Sequence, residues 1–495
     1  MAFLSQFGAL FTWELMLLML CGVLLGLVIG TLPGLGGGVA LALLIPITFG
    51  MSAQEAIVLL LAAYGTVTYG GSITAILINT PGEASNAATT FDGFPLAQQG
   101  KGGMAITVAV LCSAIGGIIG FILLALLIPV ARQLVMAFSY PEFFMLAVFG
   151  LTIIAVVTKG NVFRALISAL FGLMLAFIGT DPTVGSPRFT FETTYLWDGI
   201  AIIPVIIGLF AITEAFDLYS KKTAIAKELK VKDRGVREGV AALVKNYWLF
   251  LRSCLTGFFI GIVPGVGGVV ASFMAYGTAV QMSKTPEKFG KGAIEGVIAV
   301  EAANDAKDGG ALLPTLAFGI PGSAAMAVFI GGLIMHGLAP GPEMLTRNLD
   351  MTYFLIAAGI VSKVVALAVA LLIGTRLVFI TKVRGSLMAP GVIGISLVGA
   401  YALNGNPWDV VIALLFGVIG MYMRKFSYSA IALTIALVLG GLVESSYHQT
   451  MVSFGVSGFF TRPIAVILLI LTIISLALPL IKKKVRSVKE GGVNL

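Results

Sequence analysis

Apolar runs of the length needed to cross a bilayer recur from one end of this chain to the other, and few folds survive that constraint. Leu15 to Leu32, Ile106 to Val130, Phe143 to Val157, Ile200 to Phe216, Phe354 to Ile373 (interrupted by Ser362-Lys363) and Ile464 to Ile481 are examples. About 20 such residues span the hydrocarbon core as a helix. In lipid every backbone N–H and C=O must find a protein partner, which leaves only helices or a closed barrel. Barrel strands alternate in polarity over about 10 residues. These runs are continuous and rich in Leu, Ile, Val and Ala, so they are helices. Composition agrees: only 11% of the 495 residues are charged, against roughly 25% in a soluble domain. The expected class is an all-α polytopic membrane protein, with the lipid bilayer as its surroundings.

The net charge of +8 is concentrated in loops, so it reports topology and not a nucleic-acid partner. Cys21, Cys112 and Cys254 lie singly inside apolar segments and read as small core residues. Both histidines are isolated, which indicates no metal site. The N-terminus lacks the basic region of a signal peptide, so the first apolar run reads as a retained helix. The longest polar stretch is about Tyr219 to Tyr247, and no appended soluble domain is visible.

The chain repeats itself. Gly26, Gly30, Pro33, Gly34, Gly36 and Gly37 return as Gly257, Gly261, Pro264, Gly265, Gly267 and Gly268, at a constant offset of 231. Gly70-Gly71 followed by Pro81-Gly82 is echoed by Gly309-Gly310 followed by Pro321-Gly322. Gly160-Asn161 and Phe171-Gly172 reappear as Gly405-Asn406 and Phe416-Gly417, at an offset of 245. Three ordered matches with prolines in register divide the chain into a first transmembrane repeat (1–218), a basic linker (219–247), a second repeat (248–462) and a final helix with a basic tail (463–495).

Lys and Arg mark cytoplasmic loops. The linker carries Lys221, Lys222, Lys227, Lys230, Lys232, Arg234, Arg237 and Lys245, and the tail Lys482, Lys483, Lys484, Arg486 and Lys489, so both are expected in the cytoplasm. The segment before Leu15 has no Lys or Arg and is expected outside. Corresponding loops carry opposite biases. Lys101 and Lys159 face counterparts with one basic residue, Arg347, among acids, whereas Lys284, Lys288 and Lys291 have none opposite them at Met51 to Glu55. Matching loops thus face opposite sides, which is an inverted-topology repeat as found in many secondary transporters. About 12–15 membrane-embedded segments are expected by apolar length, some of them broken or re-entrant.

Each repeat carries a break suited to binding. Ile73 to Ile78 runs into Asn79, Thr80, Pro81 and Gly82, then into a small polar stretch from Glu83 to Thr90 that includes Ser85 and Asn86. Proline removes a backbone donor and glycine permits positive φ, so a helix should stop there. Broken backbone at membrane depth persists only where it is buried or lines a wet cavity. A fresh helix starting near Glu83 to Ser85 would point free N–H groups at that cavity, an end suited to a carboxylate. The second copy, Gly319, Ile320, Pro321, Gly322 and Ser323, has almost no polar side chains, so there the backbone would do most of the binding. The expected substrate site lies between these two breaks. The glycine-dense pair Gly34, Gly36 and Gly265, Gly267 fits either close helix packing or a backbone-carbonyl ion site.

Ionisable residues inside a membrane are costly and mark function. The densest group is Glu295, Glu301, Asn304, Asp305, Lys307 and Asp308. Asn304 and Asp305 are candidates for a coupling-ion or proton site, because carboxylates and carbonyl oxygens suit hard cations; a solvated loop is the alternative. Glu83 reads as a possible helix cap, and Lys307 as a partner for Asp308 or Asp305. No catalytic elbow, metalloprotease, Cys-x-x-Cys or ATP-binding signature occurs. A membrane-embedded enzyme and an ion channel remain the other function classes.

The runs PGLGGGVALALLIPITFGM (from Pro33), YGGSITAILINTPGEASNAATTFDGFPLAQQGKGGMA (from Tyr69) and EAANDAKDGGALLPTLAFGIPGSAAMAV (from Glu301) resemble the large membrane subunit of tripartite tricarboxylate transporters, TctA-like. The resemblance covers essentially the whole chain. It implies a bacterial inner membrane location and uptake of di- or tricarboxylates such as citrate. It also implies a small TctB-like membrane subunit, a periplasmic TctC-like solute-binding protein, and energy from a Na+ or H+ gradient with no other cofactor. Alternating access by an elevator-like or rocking movement would follow.

Overall fold

The computed structural model describes residues 2–157, 162–181, 185–220, 235–377 and 385–491. Lys159, the pair Gly160-Asn161 and the linker's basic residues from Lys221 to Arg234 lie outside them. Seven helices are long and apolar enough to cross a membrane, and seven shorter apolar helices accompany them among the described residues. The strands described, Gly179–Thr180 and Pro187–Arg188, are two residues each. The chain is an all-α polytopic membrane protein.

It forms two compact units, each taking segments from both sides of the basic linker: Met1–Arg132 with Ile203–Met421, and Gln133–Ile202 with Tyr422–Leu495. In the first unit we label α1 (Trp13–Gly30), α2 (Gly37–Leu44), α3 (Ala53–Ile78), α4 (Thr90–Gln98), α5 (Gly102–Met136), α6 (Tyr247–Ile262), α7 (Gly267–Met282), α8 (Ile294–Phe318), α9 (Ala324–Met335) and α10 (Leu349–Leu377). Helix α3 opens on a capping box: the Ser52 hydroxyl accepts from the Glu55 N–H, and the Glu55 carboxylate accepts from the Ser52 N–H at 2.7 Å. Its most apolar stretch is buried on every side. Protein, not lipid, surrounds it, and that is why Tyr64, Thr66, Thr68 and Ser72 are tolerated along its length.

Glycine sets how closely the helices of each half cross. A Cβ built on Gly26 would lie 2.2 Å from the Ala63 carbonyl oxygen, and one on Gly30 2.0 Å from that of Val67. In the second half, Gly257 meets the Ala303 carbonyl at 2.2 Å and Gly261 that of Lys307 at 2.4 Å. Gly70 approaches the Leu27 carbonyl as Gly310 approaches that of Phe258. The crossings α1–α3 and α6–α8 are therefore the same contact made twice. The three-dimensional pairing is Gly70 with Gly310, one residue later than aligning the two Gly-Gly pairs would place it.

The Pro-Gly turns also repeat. Gly34 and Gly265 have φ of 93° and 76°, as the second central residue of a Pro-Gly turn requires. The Gly34 N–H donates to the Gly82 carbonyl at 2.8 Å, and the Gly265 N–H to the Gly322 carbonyl at 3.1 Å. Each turn is stitched to the break of its own half. Gly265→Ala is expected to cost about 1–2 kcal/mol through the left-handed backbone alone. Gly34→Ala should cost about as much, because the atom its Cβ would meet at 2.7 Å is the tip of the Glu214 side chain, which can move aside. Melting of the purified variants in detergent checks both, and unchanged midpoints would refute the turn.

In the second unit, the helix Val162–Ala176 packs on Ala430–Ser453 through Gly172, whose Cβ would lie 2.2 Å from the Leu433 carbonyl, and through Gly440. Glu142 pairs with Arg462. Arg188 bridges Asp181 at 3.1 Å and Glu444 at 2.6 Å. The hydrogen bond to Glu444 raises the Arg188 guanidinium above its ordinary value. Asp181, Glu444 and His448 offer ligand atoms within 4.8 Å of one another. Arg188 already supplies a cation to both of their carboxylates.

Candidate substrate and coupling site

Both helices that lead into the site stop as the sequence implies. Helix α3 ends with Asn79 in the left-handed region (φ 54°), and α8 ends with Gly319 at φ 68°. A proline follows two residues later in each case. What comes next differs. After the first break a six-residue 3-10 turn, Ala84–Thr89, runs into α4, so no α-helix starts at Glu83 to Ser85. A short 3-10 turn has little dipole to present. The Glu83 side chain makes no cap hydrogen bond; it accepts the Gly37 N–H at 3.0 Å and the Ser85 hydroxyl. After the second break the α-helix α9 does begin at once. Ser323 is its N-cap, its hydroxyl accepting the Met326 N–H at 3.3 Å.

The glycine loops draw the two breaks together. A Cβ on Gly268 would lie 2.5 Å from Lys307 Cε, 2.7 Å from Asn304 Oδ1 and 3.1 Å from Ser85 Cβ. One on Gly267 would lie 4.0 Å from Ser323 Cβ. One on Gly37 would lie 2.8 Å from the Tyr64 ring and 3.8 Å from Ala325 Cβ. Each loop thus touches the break of the other half as well as its own. Bare glycine is needed there because any side chain would fill the space between them.

Behind the breaks lies a buried polar network. Glu301, Asn304, Asp305, Lys307 and Asp308 sit within the 25-residue helix α8 and are all buried, so they are not a solvated loop. Lys307 pairs with Asp308 and lies 3.2 Å from the Tyr64 hydroxyl, which itself donates to Asp308 at 2.7 Å. Lys363 on α10 pairs with Asp305, lies 3.4 Å from Asp308, and donates to the Gly65 carbonyl at 2.9 Å. Asn86 donates to the Thr68 carbonyl at 3.2 Å and to the Ser72 hydroxyl at 2.8 Å. Asn304 stands apart: it is fully buried, and neither its oxygen nor its nitrogen has a partner. A buried amide with all its hydrogen-bonding capacity unused marks a place for a polar ligand or water.

The structure thus brings Ser85, Asn86, Gly267, Ser323, Asn304 and Asp305 into or beside one network. Gly34, Gly82, Gly265 and Gly322 form its stitched backbone. Gly36 lies against Glu83, its Cβ position 3.2 Å from the carboxylate. Ile320 and Pro321 are buried. Asn79 is exposed at the end of α3, and the Thr80 hydroxyl donates to the Ile78 carbonyl at 3.2 Å. Lys363 escaped selection from the sequence, although a lone lysine inside Phe354 to Ile373 was the available signal. Ser72, Thr89 and Ser113, which converge on Glu301, carried no such signal, because buried hydroxyls commonly bond their own helix backbone.

A model of the family described as "Tripartite tricarboxylate transporter TctA family" matches residues 16–435. The chain belongs to the tripartite tricarboxylate transporter TctA family. Its curated relatives include an uncharacterized 52.8 kDa protein in the TAR-I ttuC' 3' region of Agrobacterium vitis, 34% identical over 90% of this chain and 89% of that one. An uncharacterized protein in the TAR-II ttuC' 3' region of the same organism is 33% identical over 46% of this chain and 94% of its own length. No solved structure matches. The TctA match ends soon after Tyr428, so it takes in both breaks, both glycine loops and Lys363.

Proposed function

We propose that this TctA-family chain is the translocation subunit of a binding-protein-dependent secondary transporter that imports di- or tricarboxylates on a Na+ or H+ gradient. The observation that carries the reading is the convergence of the α9 N-terminus and the unpartnered Asn304 at the junction of the two breaks, beside the Lys307–Asp308 pair. Helix N–H groups and an amide are donors suited to a carboxylate. A TctC-like protein delivers substrate from the periplasm, and a TctB-like subunit completes the membrane part. The protein resides in the bacterial inner membrane with its N-terminus periplasmic and its C-terminus cytoplasmic. The two halves are inverted in topology, and an elevator-like movement exposes the site alternately.

Asn304→Ala tests the site with little risk to folding, because the side chain gives up no hydrogen bond within the protein. Reconstituted with both partner proteins, the variant is expected to take up citrate or a dicarboxylate about tenfold or more slowly at low substrate. That corresponds to one lost hydrogen bond to a charged group, roughly 1.5–3 kcal/mol. Wild-type rate and affinity in a folded variant would remove Asn304 from the site.

A further inference from the structure

The buried charges of the site do not balance. Lys307 and Lys363 are its two ammonium groups, and ion pairs commit them to Asp308 and Asp305. Glu301 is a third fully buried carboxyl group of α8, and among the described residues no cation contacts it. Its partners are hydroxyls from three elements. Thr89 of the 3-10 turn donates to Oε1; Ser72 of α3 at 2.7 Å and Ser113 of α5 at 3.0 Å reach Oε2. A buried carboxylate without a counter-charge is strongly unfavourable, and such a group takes up a proton instead.

Ser72 shows how the proton can come and go. Its single hydroxyl hydrogen has two acceptors within reach, the Thr68 carbonyl at 2.9 Å and Glu301 Oε2 at 2.7 Å. Asn86 donates to the same Ser72 oxygen, and its orientation is set because the Thr68 carbonyl can only accept. With Glu301 ionised, the Ser72 hydroxyl points at Oε2. With Glu301 protonated on Oε2, the carboxyl donates to the Ser72 oxygen, and the Ser72 hydrogen turns to the Thr68 carbonyl. Both states keep every heavy-atom contact.

We infer that Glu301 is the residue on which this protein binds its coupling proton, with Ser72 as the hydroxyl that turns to accommodate it. The step adds one proton from water to Oε2 and returns it to water on the other side of the membrane. Ionisable groups within electrostatic reach of Glu301 include Asp305 on its own helix, Tyr69 on α3 and Cys112 on α5. On the neighbouring elements Lys363 of α10 is held by Asp305, and Cys254 of α6 is within electrostatic reach of Cys112. Asp92 of α4 is occupied by the Gly292 and Ala293 N–H groups and by Tyr276 of α7. None of these supplies a free cation. Asn86 and Thr89 belong to the turn that directly follows the first break, so a substrate that shifts this turn alters the donors around Glu301. By linkage, protonation then alters substrate affinity equally.

This rests on the transport reading above, and the two are separable by experiment. Infrared difference spectra of the full chain in lipid, recorded between acid and alkaline pH, should contain a protonated-carboxyl C=O band. The band should move on isotopic labelling of glutamate and be missing in Glu301→Gln. No titrating glutamate band in the wild type overturns the proposal whether or not the variant folds. In proteoliposomes with both partner proteins and without Na+, accumulation should grow roughly tenfold per pH unit of gradient for one proton per cycle. In Glu301→Gln the ratio of gradient-driven uptake to equilibrium exchange should collapse to unity. Accumulation that needs Na+ and ignores the pH gradient, or a variant that still responds to it, overturns the proposal. If the complex moves no carboxylate while the band still titrates, the transport reading fails and the proton site stands.

Discussion

Lys363→Met is expected to produce a protein that melts far below the wild type or does not accumulate in the membrane. Lys363 is 1% exposed inside a 29-residue apolar helix, and it is the ion-pair partner of Asp305. Among the described residues, its removal leaves the buried Asp305 with the Thr68 hydroxyl, 3.3 Å away, as its remaining side-chain hydrogen-bond donor. Breaking a buried pair by deleting one partner costs about 3–5 kcal/mol, most of it the penalty of the charge left behind. Neutralising both partners in Lys363→Met/Asp305→Asn should therefore recover most of the loss, with Asp308 still held by Lys307 and Tyr64. A double-mutant cycle on detergent melting checks this. A single variant as stable as the wild type, or a double variant no better than the single, would show that the pair is not what stabilises the core.

Gly30→Ala and Gly261→Ala are expected to lose stability and uptake together. Their new Cβ atoms would lie 2.0 and 2.4 Å from backbone carbonyl oxygens of the helix they cross. A backbone carbonyl cannot swing aside like the tip of a flexible side chain, so the helices must separate, at about 1–3 kcal/mol each. At Gly261 the displaced carbonyl belongs to Lys307, one of the two lysines of the buried network. Gly277→Ala is the control, because nothing lies within 4 Å of its Cβ position. If the three variants melt and transport alike, close crossing is not the reason for these glycines.

The glycine motifs show where reading the sequence was sufficient. An offset of 231 with prolines in register implies the same turn twice at Pro-Gly, which admits few conformations, although the backbones diverge two residues later, with Gly36 at φ -77° and Gly267 at φ 66°. The turns at Gly34 and Gly265 do share a positive φ and the same hydrogen bond. The breaks at Asn79 and Gly319 were legible for the same reason. The 3-10 turn after Glu83 was not. Small polar residues such as Ala84, Ser85 and Asn86 suit several tight turns equally, and the choice fell to their contacts with Ser72, Thr68 and Gly268.

The sequence by itself determined that this chain is a bundle of membrane helices in which a glycine-rich motif and a Pro-Gly break each occur twice. Those properties follow from local chemistry: apolar length, the missing proline donor and the freedom of glycine. Only the tertiary structure decided which charges meet. Lys363 lies 58 residues from Asp305, and Thr89, Ser72 and Ser113 lie 212, 229 and 188 residues from Glu301. Pairing over such distances depends on how helices cross, and the crossing depends on glycine positions that carry no charge themselves. Hence the cluster of acids on α8 was visible in the sequence. That three of them, Glu295, Asp305 and Asp308, have lysine partners, while among the described residues Glu301 is met by hydroxyls and no cation, was not.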